Sequence, residues 1–181
     1  NTVLYTGNAT TNTQITGVGF QPDWVWIKQR NGSASHGLFD SVRGTEKRLK
    51  SQATDAEQTS SDSVTSFDSD GFTVGNNTGV NSSGDTLVAW NWKAGGTAVT
   101  NDDGSIQSTV SANTEAGFSI ISYIGNGTAG ATVGHGLSQA PDMIIVKNRG
   151  IITGTNHDWM VYHSSNTSAP ETDYLRLNLT N

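Results

Sequence analysis

The chain has 181 residues, a charged fraction of only 14%, a formal net charge of −6 and no cysteine. That length suits one large β domain or two small ones, with enough chain to bury a core. The acidic balance argues against nucleic acid, whose phosphates need a basic footprint, and the missing cysteines exclude disulfides, thiol nucleophiles and thiolate metal sites.

Ser, Thr, Asn and Gly dominate the composition. They favour short strands and polar turns over helices. No apolar run approaches the roughly 18 residues of a membrane helix, so a membrane partner is not expected. The chain begins without Met and without a signal peptide, and it reads as a processed or excised part of a longer polypeptide.

In chain order, residues 2–7 and 14–18 read as the first two strands. Residues 23–29 form a strong third strand, with Trp24 and Trp26 on one face and Val25 and Ile27 on the other. Apolar residues on both faces predict burial on both sides. Strands follow at 35–41 and 46–51. Residues 55–63 are polar and acidic and read as an exposed loop with room for a helical turn. Residues 66–74 surround the turn Asp68-Ser69-Asp70-Gly71. A hairpin is predicted through residues 81–85 into a strand at 86–93, where Val88, Trp90 and Trp92 share a face. Asn101-Asp102-Asp103-Gly104 is a turn signal before a strand at 106–110. Residues 115–124 lead on to 143–146, 157–163 and 173–178, where Leu175, Leu177 and Leu179 alternate with polar residues.

The chain repeats itself. Tyr5-Thr6-Gly7-Asn8 returns as Tyr123-Ile124-Gly125-Asn126, and Pro22-Asp23 with its apolar strand and Lys28 returns as Pro141-Asp142, Met143–Val146 and Lys147. Residues 3–54 match 119–181, whereas 66–110 occur in the first unit only. Short strands punctuated by turns predict an all-β fold, an antiparallel β-sandwich or jelly roll of the concanavalin or lectin-like kind. Residues 1–181 are expected to form a single sandwich domain from one complete and one partial repeat. A partial unit exposes a sheet edge. Either both units share one sandwich, or the missing strands come from later sequence or a neighbouring subunit.

The candidate chemistry is sparse. Asp68/Asp70 and Asp102/Asp103 each precede a glycine and are weak calcium candidates, but neither segment carries a full EF-hand loop, so they read as turn residues. Asp23 and Asp142 recur with their strand and read as structural. No metal-binding histidine spacing occurs among His36, His135, His157 and His163. No cofactor and no catalytic residue is expected. Trp24, Trp26, Trp90 and Trp92 read as core. Trp159, flanked by His157 and Asp158, is the candidate exposed aromatic for stacking on a sugar, with those two neighbours as its binding partners.

These segments also carry a resemblance. Val3 to Lys28, D-S-V-R-G at 40–44, F-D-S-D-G-F-T-V-G at 67–75, V-A-W-N-W-K-A-G-G at 88–96 and the long stretch 117–149 resemble a repeated module of virion structural and tail-fibre-like proteins of marine and environmental tailed phages. The resemblance implies a non-enzymatic, lectin-like β-sandwich at a virion surface, partnered by other virion subunits as a homo-oligomer and by host-surface glycans. The alternative is a secreted adhesin or extracellular filament subunit assembled by β-strand addition.

Overall fold

The computed structural model describes residues 1–150 and 157–179. The fold is all-β, with several antiparallel sheets and, among the described residues, one short helix. The main sheet is six-stranded, in the order β1 (Thr2–Thr6), β9 (Thr86–Trp92), β3 (Trp24–Gln29), β4 (Gly37–Asp40), β5 (Gly44–Leu49) and β6 (Gln58–Thr59). A second sheet stacks β2 (Thr13–Thr16), β8 (Gly71–Val74) and β7 (Val64–Asp68).

These two sheets form a sandwich, because period-2 alternation aims one side of each strand at the other sheet. Val25 and Ile27 of β3, Phe39 of β4 and Leu87 and Ala89 of β9 meet Ile15, Val64, Phe72 and Val74 from the smaller sheet. Burying one such aliphatic or aromatic side chain contributes about 1.5–3 kcal/mol. Gly71 lets β8 run against β2: a Cβ there would lie 1.9 Å from the Ile15 carbonyl oxygen.

The opposite face of the main sheet is also covered. Trp24 stacks on Trp92 at 4.6 Å and on Phe118 at 5.8 Å, ring centroid to centroid. Phe118 opens β12 (Phe118–Tyr123), the last strand of a sheet ordered β10 (Val99–Asn101), β11 (Ser108–Asn113), β12. Beside it, Leu38, Leu49 and Trp159 form a second cluster, against which Trp24, Trp26 and Ile145 pack. Ile145 belongs to β13 (Met143–Val146), which pairs with β14 (Met160–His163) and through it with β15 (Leu175–Arg176). Strand β3 is therefore apolar on both faces because it is packed on both.

The order β13-β14-β15 parallels β3-β4-β5. Trp24 pairs with Asp40, and Met143 with His163, so the matched strands keep the same partners in the same direction. The turn that follows is held alike: Ser41 Oγ donates to Asp23 at 2.9 Å, and Ser164 Oγ donates to Asp142 at 2.9 Å.

Two expectations need correction. Residues 81–85 do not turn a hairpin: β8 and β9 lie in different sheets. The four-residue helix α1 (Thr78–Asn81), capped by the Asn77 side chain on the Gly79 N–H, instead begins the crossing between them. The polar 58–59 segment of the expected loop adds to the sheet edge as β6. Among the described residues no helix is long and apolar enough to cross a membrane.

Candidate functional site

The residues singled out by sequence fall at different places. Trp159 is only 4% exposed. Its indole Nε1–H donates to the Lys50 carbonyl at 2.9 Å, and its ring packs on Leu38 and Leu49. The expectation that Trp159 is an exposed aromatic is therefore corrected: it is an internal anchor between the main sheet and β13. Its neighbours are tied locally. Asp158 accepts from Asn178 at 2.8 Å and pairs with Arg176 at 3.1 Å. The His157 carbonyl accepts from Lys147 Nζ.

The acidic pairs do not converge. Asp68 accepts from Ser66 and Thr73 hydroxyls. Asp70 turns away to accept the Gly19 N–H at 2.6 Å and the Gly17 N–H at 3.1 Å. Those two backbone donors, Gly19 foremost, hold the exposed Asp70 carboxyl below the usual carboxylate range. Asp102 accepts from Gln107, and Asp103 from Asn101. Among the described residues no group of three or more His, Asp or Glu side chains is placed to hold a metal ion. These carboxylates close turns.

Asp23 is buried, and both of its oxygens are occupied, one by Ser41 and the other by the Ala94 N–H at 2.8 Å. It edges a shallow depression of about 780 Å³ that also touches Phe20, Lys93, Asn113 and Glu115.

The aromatic row is the feature that sequence placed only in part. Trp24, Trp26, Trp90 and Trp92 lie on one face of β3 and β9 and remain half-buried. Trp26 meets Trp90 edge-to-face at 5.9 Å and donates from Nε1 to His36 Nδ1 at 2.7 Å. That bond requires an unprotonated Nδ1. Burial, aided by the nearby Lys28 charge, lowers the His36 pKa below its ordinary value. A lowered folded pKa gives stability that is present above the unfolded value and lost as pH falls through the folded one. The thermal midpoint is thus expected to drop as pH falls below about 6.5. The drop should be smaller in His36→Gln, whose amide oxygen accepts without titrating. Identical pH profiles between pH 7 and pH 5 would remove His36 as the cause.

The remaining feature is exposed apolar surface in the second repeat. Met143, Ile144 and Val146 of β13, Leu175, Leu177 and Leu179 at β15 and after it, and Ile124 beside β12 all face solvent. In the first repeat Val25 and Ile27, which match Ile144 and Val146, are 0% exposed, against 41% and 39% in the second.

Fold and surface define an all-β sandwich protein whose β13–β15 sheet exposes apolar side chains. The chain belongs to the family described as a domain of unknown function, DUF7483, which it matches over residues 1–181. No curated protein and no solved structure matches it.

Proposed function

We propose that this chain is a non-enzymatic structural module of a virion surface, a tail-fibre or capsid-surface part that works by joining other polypeptide subunits. The observation that carries the reading is the open apolar face of the β13–β14 pair, where exposed Ile144 and Val146 lie opposite Tyr162 and Met160. A folded chain that exposes such a patch presents an interaction surface. Host-surface glycans are the ligand class that accompanies this reading.

A second reading, an adhesin or filament subunit joined by strand addition, is favoured by the open edge of β13. Electron microscopy with an antibody against this chain separates the two. Label on the surface of purified phage particles is expected. Label confined to cell-surface filaments would replace the first reading by the second.

A further inference from the structure

In the first repeat β9 lies between β1 and β3, paired antiparallel with both. The matching strands of the second repeat are β12 and β13. Each ends its own sheet, and among the described residues no strand lies between them. Arg149, just past β13, reaches the Ser122 hydroxyl of β12 at 3.0 Å. An extended arginine and a serine together cover the roughly 9.5 Å between two strands that flank one vacant strand position.

Two further observations concern the same place. Val25 and Ile27 are buried beside Leu87 and Ala89 of β9, under the smaller sheet, whereas the matching Ile144 and Val146 are exposed. Gly7 and Gly125 also hold matching positions in Y-x-G-N. A Cβ on Gly7 would lie 2.1 Å from the carbonyl oxygen of Ser82, in the segment leading into β9, whereas a Cβ on Gly125 meets nothing within 4 Å. Among the described residues nothing near Gly125 requires glycine there. A segment seated like residues 82–92 would.

We propose that the position between β12 and β13 receives one antiparallel strand with the side-chain pattern of Thr86–Trp92, presented by a further copy of this repeat. By the register of the first unit, the residue in the place of Trp90 lies opposite Ile120 and Ile145. The one in the place of Ala89 lies opposite Ile121 and Val146. Main-chain bonds to both edges supply affinity, and alternate apolar side chains flank those of β13 and set the register. This rests on the reading above only in that the partner is polypeptide.

The test is amide hydrogen exchange of the chain with a synthetic peptide of residues 80–93, against a scrambled peptide. Exchange at 119–124 and 143–148 is expected to slow on the order of tenfold with the native peptide only. Gly125→Ala is expected to abolish that protection while leaving the chain's own thermal midpoint unchanged. Gly7→Ala, which forces backbone against backbone, should lower the midpoint. No protection, or equal protection by the scrambled peptide, would each overturn the proposal. Absence of label from virions overturns the virion reading and leaves this result standing; the converse holds equally.

Discussion

Trp159→Ala is expected to lower the unfolding free energy by about 3–5 kcal/mol, the cost of removing a large buried aromatic. For a chain of this size each kcal/mol shifts the thermal midpoint by about 2–4 °C. Two losses combine. The cavity opens between Leu38 and Leu49 of the main sheet and the β13–β14 strands. The Lys50 carbonyl also loses its indole donor, and a polar group left unsatisfied in a buried place costs about 1–3 kcal/mol. Trp159→Phe keeps most of the packing and loses the hydrogen bond, so it should be milder. Equilibrium denaturation with amide exchange checks both. Exchange should rise first in β13 and β14, because Trp159 pins that sheet to the first repeat. A loss well under 1 kcal/mol, small beside the usual buried-aromatic cost, would show that the ring does not fasten the two.

Trp159 also shows where sequence stops being informative. Its polar neighbours His157 and Asp158 suggest a wet strand. The groups that bury it, Lys50 among them, lie far back in the chain at a separation of 109 residues. The strands themselves were legible, because alternation is a local property. Trp24-Val25-Trp26-Ile27 announced a strand packed on both sides, and the two faces do meet different partners. The pairing of Ser41 with Asp23 and of Ser164 with Asp142 was not legible, since it depends on which strands become neighbours. Helix α1 was hidden for a different reason. Asn81-Ser82-Ser83-Gly84-Asp85 has turn chemistry, but Asn81 is fully buried and uses its amide to bind the Gly75 and Thr10 carbonyls at 2.8 and 2.9 Å. A turn signal does not reveal that its first residue is the hub of a crossing between sheets. The exposed Ile144 and Val146 were invisible in sequence, where they read like their buried counterparts.

Arg43→Ala should cost about 3–5 kcal/mol, the loss expected when one partner is removed from a buried ion pair. The guanidinium pairs with Asp40 through Nε and with Glu57 at 3.0 Å, and it donates to the Lys47 and Leu38 carbonyls at 2.9 and 3.2 Å. The side chains of Arg43 and Asp40 are 6% and 8% exposed, so water replaces little of what is lost. Glu57 is cushioned, because Arg149 also reaches it at 3.2 Å. The penalty therefore falls chiefly on Asp40, whose carboxylate is stranded at the bulge between β4 and β5. Arg43→Lys is expected to recover only a part, since one ammonium cannot serve acceptors that a planar fork addresses in several directions. The decisive measurement is a double-mutant cycle in chemical denaturation. Adding Asp40→Asn to Arg43→Ala should restore stability relative to the single variant, because it removes the unpaired charge. If the two losses simply add, Asp40 is satisfied without Arg43, and the network does not hold β4 to β5.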